Sequence, residues 1–459
     1  MEPLKEQLKK KVVIIGGGLT GLTLAFMLER KGIDWILFER SPVPGGVMQT
    51  KKRDGFIYET GPNTGITGNG EVVELFEMLA PDCNLDLANH ASANRWILRN
   101  GKWVALPSGL IGGIKTPLFS FYDKFRILAE PFRKRGTNPM ETVANMVRRR
   151  MGKTYLDNAV DPFISGIYAG DPDQLVTKYA LPKLYNLEQN YGSFIGGSIK
   201  KSKEPKSERD KKATRQVFAA KGGFSNLINA LVSRLPKERL FMGTTDMIIS
   251  KAEESFTVTV KNLSGEKTTL IGEKCITTTG GYGLKGMFDF ISDDELKAII
   301  DMKYAKVVQV IMAFKQWNGP KLNAFGGLIP SKEKRNILGV LFPSSIFTDR
   351  TPEGGALLST FMGGIKKPEI IGMSDEALLQ LVHKELDELL SVSSSNEAFT
   401  EIYRYYHAIP QYDAGSPAKL EAIDALESKH PGLILAGNIR GGIGIADRVK
   451  QAFDLAETL

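Results

Sequence analysis

Apolar positions divide the chain into short continuous runs, helical faces and alternating segments. Residues 12–15 and 35–38 are continuous apolar runs, which are typical of buried strands. Residues 72–79 carry apolar side chains at helical spacing. Residues 304–314 alternate between apolar and polar side chains, as a half-buried strand does. The pattern predicts an α/β protein with a separate sheet in its second half.

A glycine-rich turn follows the first apolar run and opens a predicted helix. Gly16, Gly18 and Gly21 have the spacing of a dinucleotide-binding turn, in which they allow the tight turn, the approach of pyrophosphate and the packing of helix on strand. Glu39 ends the second run, where a carboxylate can accept hydrogen bonds from a ribose and would repel a 2′-phosphate. The unit is predicted to bind a nucleotide, and NADP is disfavoured.

A second strand, glycine-rich turn and helix start lies near the end of the chain. The turn contains Gly437, Gly442, Ile443, Gly444 and Ile445. FAD is much longer than a mononucleotide, so a second helix N-terminus could meet its pyrophosphate or ribityl end while the first turn holds the ADP half. The two turns together therefore favour FAD over NAD, although a turn without a ligand has the same local pattern.

Length and composition set limits on the class of protein. The 459 residues suffice for two or three packed units, and 42% apolar with 24% charged residues is typical of a soluble globular protein. No apolar run reaches the roughly 18 residues of a membrane span, and residues 1–11 lack the apolar stretch of a signal peptide. Cys83 and Cys275 are far apart and outside any metal-like spacing. We predict a cytoplasmic protein without a metal site.

The net charge of +8 is concentrated locally. Residues 200–215 form a basic block without aromatic residues or helical spacing, which predicts a solvated loop rather than a nucleic-acid site. Residues 110–135 mix aromatic and aliphatic residues with lysines and arginines. This mixture predicts a peripheral contact with an anionic membrane surface, although core packing produces the same pattern.

Further motifs are spread over nearly the whole chain. They are Gly45-Gly46, Gly61-Pro62-Asn63, Asn94-Arg95-Trp96-Ile97, Leu106-Pro107-Ser108-Gly109, Ser165-Gly166-Ile167-Tyr168-Ala169-Gly170-Asp171, Lys221-Gly222-Gly223-Phe224, Phe347 with Asp349-Arg350, and Ile409-Pro410-Gln411-Tyr412. With the two glycine turns, these motifs resemble the flavin-containing amine oxidase superfamily and, within it, the oxygen-dependent protoporphyrinogen oxidases of haem biosynthesis. The run from Ser165 to Asp171 is the most specific of them.

The resemblance implies a discontinuous Rossmann-like FAD-binding domain, a mixed-sheet substrate domain and a helical insertion. We assign residues 1–85, 215–290 and 400–459 to the FAD-binding domain. Residues 86–214 are assigned to the helical insertion, as a possible membrane-association region, and residues 291–399 to the substrate domain.

The resemblance also implies binding residues. Those expected to contact FAD are Gly16, Gly18, Leu19, Thr20, Gly21, Glu39, Arg40, Gly45, Gly46, Gly61, Pro62, Gly437, Gly442, Ile443, Gly444 and Ile445. Those expected to contact the substrate are Asn63, Arg95, Leu328 and Phe347. Arg95 is expected to be a buried guanidinium that pairs with a propionate, and Leu328 and Phe347 are expected to enclose the tetrapyrrole. Val47 stands where many amine oxidases have arginine, so phosphate binding there would use the backbone.

The implied reaction is the FAD-dependent removal of six electrons from protoporphyrinogen IX, which gives protoporphyrin IX with dioxygen as acceptor and hydrogen peroxide as product. The flavin performs the hydride chemistry, so no side chain is assigned a catalytic role. The four histidines lie in unrelated contexts and are interpreted as surface or packing residues.

Two other functions remain open at this point. Enzymes that oxidise coproporphyrinogen III to coproporphyrin III tend to lack an arginine at the position of Arg95, so Arg95 favours protoporphyrinogen IX without excluding the alternative. A tetrapyrrole-binding flavoprotein without catalysis is the second alternative. The next haem-pathway enzyme is a possible partner, and no oligomeric state is predicted.

Overall fold

The computed structural model describes residues 9–107 and 109–459. Residues 1–8, and Ser108 of the motif Leu106-Pro107-Ser108-Gly109, lie outside the described residues. The strands, in chain order, are β1 (Lys9–Ile15), β2 (Trp35–Phe38), β3 (Thr50–Arg53), β4 (Phe56–Glu59), β5 (Gly65–Ile66), β6 (Leu85–Leu87), β7 (Trp96–Arg99), β8 (Lys102–Ala105), β9 (Val217–Ala220), β10 (Leu240–Phe241), β11 (Thr245–Ala252), β12 (Ser255–Lys261), β13 (Lys267–Thr277), β14 (Tyr304–Gln316), β15 (Gly326–Leu328), β16 (Ile337–Leu341), β17 (Ala356–Gly363), β18 (Asn396–Pro410) and β19 (Leu433–Leu435).

Helices connect and cover these strands. In chain order they are α1 (Leu19–Arg30), α2 (Gly70–Leu79), α3 (Gly109–Lys115), α4 (Phe121–Leu128), α5 (Val143–Arg150), α6 (Lys153–Tyr155), α7 (Asp161–Tyr168), α8 (Thr177–Ala180), α9 (Pro182–Tyr191), α10 (Phe194–Ser202), α11 (Glu208–Lys211), α12 (Phe224–Ser233), α13 (Asp293–Ile300), α14 (Pro343–Ile346), α15 (Asp375–Leu390), α16 (Ser416–Lys429) and α17 (Ile445–Thr458).

The first sheet has the strand order β10-β2-β1-β13-β12-β11, and β19 also pairs with β13. Strands β10, β2, β1, β13 and β19 pair in parallel, whereas β11, β12 and β13 pair antiparallel. Val12 and Ile14 pack towards α1, α2, α12 and α17, and Val13 and Ile15 pack towards α13 and α16. Both faces of β1 are buried, which explains its continuous apolar sequence. The predicted α/β class is confirmed.

The second sheet has the order β18-β14-β17-β16-β15-β7-β8. The strand predicted over residues 304–314 is β14, but it is buried on both faces rather than half-buried. It lies between β17 and β18; Val308, Val310 and Met312 face the core that α15 covers, and Ile311 packs with Phe56 of β4. A cover on each face leaves little of this strand in water.

Sheet membership differs from the predicted ranges in two places. Strands β7 and β8 fall within residues 86–214, yet β7 pairs with β15 of the second sheet. Strand β18 falls mainly within residues 400–459, yet it pairs with β14. The assignment of residues 86–214 to a helical insertion is therefore wrong for residues 96–105, and β18 lies in the second sheet. The division into three domains otherwise stays a prediction.

The helical region between β8 and β9 has its own small core and a buried ionic cluster. The Arg150 side chain is fully buried; its Nε donates to Glu130 Oε1 at 2.6 Å and its Nη1 donates to Glu188 Oε1 at 2.6 Å. The prediction of a solvated loop over residues 200–215 is wrong in part. Helices α10 and α11 extend into this segment, and Arg209 Nε donates to Glu74 at 3.1 Å. Within the described ranges, no helix combines the length and apolar character needed to cross a membrane.

Candidate functional site

The parallel strands of the first sheet end at one edge, where their following loops touch. Thr278 N donates to Ile15 O at 2.7 Å, which joins the loop after β13 to the end of β1. Ala436 N donates to Thr277 O at 2.7 Å, which joins the loop after β19 to the end of β13. The carboxyl edge of a parallel sheet is where such folds bind ligands. Both predicted glycine turns lie at this edge.

The three glycines of the first turn differ in what surrounds them. Gly16 has φ +107°, and a Cβ there would lie 2.6 Å from Thr278 Oγ1. A Cβ on Gly21 would lie 1.9 Å from the Gly16 carbonyl oxygen, so α1 packs too closely on β1 for any side chain. A Cβ on Gly18 would meet nothing within 4 Å. Gly16 and Gly21 are thus required by the fold, and Gly18 faces open space.

Glu39 closes the first turn from the end of β2. Its Oε2 accepts from Gly17 N at 2.6 Å, and its Oε1 accepts from Ser41 N at 2.7 Å. The carboxylate is half-buried and each oxygen keeps a further lone pair, so hydroxyl donors of a ribose could still bind. Arg40 beside it is exposed.

A second segment of the chain, residues 45–47, lies against this turn. Gly45 N donates to Gly17 O at 2.8 Å, and a Cβ on Gly46 would lie 3.6 Å from the Gly18 Cα. Gly61 packs so closely on this segment that a Cβ at Gly61 would lie 1.9 Å from the Val47 carbonyl oxygen. Gly45 and Gly46 therefore lie against the first glycine turn, and Gly61 lies against Val47 behind them.

The second glycine turn is held by side chains. Gly442 has φ +99°, and its N–H donates to the Tyr412 phenol oxygen at 3.1 Å. Gly444 N donates to Asp447 Oδ2 at 3.1 Å where α17 begins. The buried Arg448 donates through Nη1 to Gly437 O and through Nη2 to Arg440 O at 2.9 Å. Ile443 is partly buried in this turn, and Ile445 is the first residue of α17.

Three helix N-termini meet beside the two turns. Thr20, in the first turn of α1 after Leu19, has its hydroxyl 3.5 Å from Arg448 O of α17. Asn69, the N-cap of α2, donates through Nδ2 to Ala446 O at 2.8 Å. Free N–H groups and aligned helix dipoles favour an anionic group at such a place. The donor set, the open space at Gly18 and the Glu39 carboxylate together fit a dinucleotide with a pyrophosphate.

The four predicted substrate residues form two pairs. Arg95 directly precedes β7 and Leu328 ends β15, and β7 pairs with β15 in parallel. Arg95 is exposed as a whole residue, but burial lowers the pKa of its guanidinium, so the expectation of a buried guanidinium holds only in part; its Cζ lies 5.3 Å from the centre of the Phe325 ring. A Cβ on Gly166 would lie 2.4 Å from Leu328 Cδ2, so the specific glycine motif packs against this leucine.

The second pair, Asn63 and Phe347, lines a water-sized cavity of about 10 Å³. Asn63 Nδ2 donates to Gly61 O at 2.9 Å. Phe347 is only 3% exposed, and the Arg350 guanidinium lies 4.9 Å from its ring centre. In this conformation Phe347 therefore offers little surface to a ligand, whereas Leu328 and Arg95 are accessible.

Glu59 and Arg350 lie beside these residues, and sequence reasoning assigned no role to either of them. Both line the same cavity and both are buried, with Arg350 Nη1 3.6 Å from Glu59 Oε1. Burial raises the pKa of Glu59 to about 7, although Arg350 beside it acts in the opposite direction. Glu59 Oε1 also accepts from Phe224 N at 3.0 Å. Arg350 belongs to the Asp349-Arg350 motif, but its pairing with the distant Glu59 was not visible in the sequence.

The fold and the two glycine turns define a dinucleotide-binding architecture, and comparison with known proteins identifies its family. Residues 19–447 match the model of flavin containing amine oxidoreductases. The chain belongs to this family, so it is a flavin-dependent oxidoreductase.

Individual relatives narrow the comparison. A mitochondrial protoporphyrinogen oxidase from Nicotiana tabacum is 30% identical over 99% of this chain and 95% of its own length. A coproporphyrinogen III oxidase from Bacillus subtilis (strain 168) is 28% identical over 96% of each chain. A crystal structure from Exiguobacterium sp. 255-15, named only provisionally as a protoporphyrinogen oxidase, covers 98% of each chain with TM-score 0.78 and 23% identity, which shows the shared fold.

Proposed function

We propose that this protein catalyses the FAD-dependent oxidation of protoporphyrinogen IX to protoporphyrin IX in haem biosynthesis, with dioxygen as acceptor and hydrogen peroxide as product. The observation that carries the proposal is the match to porphyrinogen oxidases over nearly the whole chain. The joined glycine turns, which fit the pyrophosphate of FAD, support the cofactor assignment.

Different residues at the carboxyl edge of the first sheet would bind different parts of FAD. The first glycine turn, from Gly16 to Gly21, would take the pyrophosphate, and Glu39 would accept hydrogen bonds from the ribose. The turn before Ile445 would meet the other end of the cofactor. When bound, the flavin supplies hydride acceptance, and the side chains position the macrocycle.

Arg95 and Leu328 are proposed to bind the porphyrinogen. An accessible guanidinium can bind a propionate bidentately, and the adjacent leucine offers an apolar surface to a pyrrole. Asn63 and Phe347 would join them after a movement of the Phe347 ring, because this ring is now covered by Arg350. The exposure of Arg95 suits a role in capturing the substrate.

The test compares protoporphyrinogen IX and coproporphyrinogen III in aerobic turnover by the purified holoprotein. Faster protoporphyrin formation supports the proposal, and faster coproporphyrin formation shifts the function to the coproporphyrin route, which the Bacillus subtilis relative favours. An anaerobic mixture adds a second readout. A flavin that porphyrinogen does not reduce would contradict both enzymes and indicate a carrier.

Arg95→Ala sharpens this test. Loss of a charge-assisted pair worth about 1.5–3 kcal/mol should raise KM for the preferred porphyrinogen at least tenfold. Lys102→Ala on the exposed side of β8 is the control and should leave KM unchanged. Equal KM values for both variants would remove Arg95 from the substrate site.

We also propose peripheral contact with an anionic membrane surface. The region from α3 to the turn after α4 exposes seven large apolar side chains, which are Ile111, Ile114, Phe121, Tyr122, Phe125, Leu128 and Phe132. Beside Tyr122, a cleft of about 620 Å³ is lined by Arg99, Arg126, Arg148 and Lys153. Apolar side chains next to cations suit an interface with acidic headgroups.

Flotation with phosphatidylglycerol vesicles at low salt tests this contact. The wild type should float, and the double variant Phe125→Ser/Phe132→Ser should remain with the unbound protein. Leu263→Ser is the matched control, since Leu263 is 74% exposed in the turn between β12 and β13, far along the chain from this region. A wild-type protein that does not float contradicts the proposal.

A further inference from the structure

The motif Ile409-Pro410-Gln411-Tyr412 has no part in the function proposed above, but it connects three regions of the molecule. It ends β18 of the second sheet. The Tyr412 carbonyl oxygen accepts from Val176 N of the helical region at 2.8 Å. Its phenol oxygen accepts from Gly442 N at 3.1 Å. Tyr412 thus links the helical region to the second glycine turn.

A buried lysine lies against this tyrosine. Lys419 of α16 is only 2% exposed, and its Nζ lies 4.8 Å from the centre of the Tyr412 ring. Among the described residues this ammonium group has no hydrogen-bond partner. A cation over an aromatic face is attractive, but it compensates for only part of the cost of removing an ammonium group from water. The packing around Tyr412 therefore does not require a charged side chain at Lys419.

Few other charges face this pair. Asp413 is the carboxylate next to Lys419, and it is shared with Lys303, whose Nζ lies 3.4 Å from Asp413 Oδ2. Burial lowers the pKa of Lys419 to about 8, and Asp413 acts against this change. No other charged group is found to shift the pKa of Lys419 among the described residues.

Groups from three other elements face Tyr412. Arg448 and Asp447 of α17 act on its pKa in opposite directions. Tyr168 of α7 and Tyr304 of β14 lie close enough for Tyr412 to raise their pKa values. Burial raises the pKa of Tyr412 above its usual value, so the phenol stays neutral and its oxygen remains available to the Gly442 N–H.

We propose that Lys419 is a positioning residue of the flavin site: its buried ammonium group holds the Tyr412 ring so that the phenol oxygen receives the Gly442 N–H and fixes the glycine turn in front of α17. This inference rests on the proposed binding of FAD at that turn. The positive charge behind the turn also favours an anionic group bound in front of it.

The proposal predicts opposite effects on stability and on cofactor binding. Because the pKa of Lys419 lies below its ordinary value of 10.5, the unfolded chain binds this proton more tightly, and stability rises with pH between about 8 and 10.5. At pH 7 the buried charge destabilises the fold. Lys419→Met should therefore raise the melting temperature of the apoprotein by about 2 °C while weakening FAD binding. A lysine with a merely structural role would lower the melting temperature when replaced.

The experiment measures the FAD dissociation constant of the apoprotein between pH 6.5 and 9.5 by flavin fluorescence. We expect wild-type affinity to fall as the pH passes 8, and Lys419→Met to bind about tenfold more weakly at pH 7 without this pH dependence. Tyr412→Phe should show the same loss, and the double variant should lose no more, since both residues act through one contact. Lys419→Arg should retain affinity at pH 9.5 because its side chain stays charged.

Two results would overturn the inference. One is a Lys419→Met variant that binds FAD as the wild type does, with porphyrinogen oxidation intact, which leaves the proposed function standing. The other is a lowered apoprotein melting temperature in Lys419→Met together with wild-type binding in Tyr412→Phe. A wild-type apoprotein that does not bind FAD at all would reject the proposed function itself, and the inference with it.

Discussion

The two glycine-rich turns at the carboxyl edge of the first sheet are built in different ways. The turn from Gly16 to Gly21 is shaped by backbone contacts, since a side chain at Gly21 would collide with the Gly16 carbonyl oxygen. The turn from Gly437 to Gly444 is held by side chains, chiefly Tyr412 and Arg448. Close backbone packing leaves one geometry available to the first turn. The second turn depends on side chains that follow β18 and lie in α17, so substitution of one of these side chains can change its geometry.

The largest effect is expected at Gly21. Gly21→Ala should lower the free energy of unfolding by about 3 kcal/mol, because the added Cβ would lie 1.9 Å from a backbone oxygen that cannot move alone. Urea denaturation measures the change. Gly113→Ala in α3, where a Cβ meets nothing within 4 Å, is the control and should be neutral or slightly stabilising. Equal stability of both variants would show that the first turn tolerates side chains.

Arg448→Met tests the second turn. Two carbonyl oxygens, those of Gly437 and Arg440, would lose a buried charged donor, at a cost of about 2 kcal/mol. Lys297→Met in α13 removes an exposed ion pair with Asp301 and should cost less than about 1 kcal/mol in the same denaturation experiment. The distinction between the turns fails if the two variants are equally stable.

Gly18→Ala should separate folding from binding. Its Cβ meets no atom within 4 Å, so stability should change by less than about 0.5 kcal/mol. The methyl group would stand where the pyrophosphate is proposed to approach, and the FAD dissociation constant should rise about tenfold. Fluorescence titration gives this value. Gly372→Ala, equally free of neighbours, should bind FAD normally; unchanged binding in Gly18→Ala would place the cofactor elsewhere.

The smallest effect is expected for Glu39→Gln. A glutamine has one acceptor oxygen, whereas the carboxylate serves both Gly17 N and Ser41 N, so about 1 kcal/mol of stability should be lost. The melting temperature reports the loss. Glu254→Gln on an exposed turn is the control and should leave the melting temperature unchanged. An unchanged melting temperature in Glu39→Gln would show that the carboxylate does not stabilise the first turn.

The contrast between the turns also explains what the sequence could predict. The first turn depends on residues close together in the chain, so the spacing of Gly16, Gly18 and Gly21 predicted the strand end, the helix start and the tight packing. The second turn could be located from its glycines, but the roles of Tyr412 and Arg448 depend on contacts between distant segments. No local pattern reports such contacts.

The assignment of strands to sheets could likewise be predicted only in part from the sequence. The apolar pattern predicted β14 as a strand but not its two covered faces, because the cover comes from α15 and β4, which are remote in sequence. Strands β7 and β8 are short and lie beside a long helical region, so their pairing with β15 could not be predicted from their own residues. Glu59 and Arg350 meet only after both sheets have assembled.

The contact between Thr20 and Arg448 joins residues that are 428 positions apart. At a synthesis rate of 5–20 residues per second, the first glycine turn leaves the ribosome roughly 20 to 90 s before its partner exists. During that interval the nascent chain can form the first strand and helix but not the completed pocket. A flavin that needs both glycine turns can therefore bind only after Arg448 has been synthesised and has packed against Thr20.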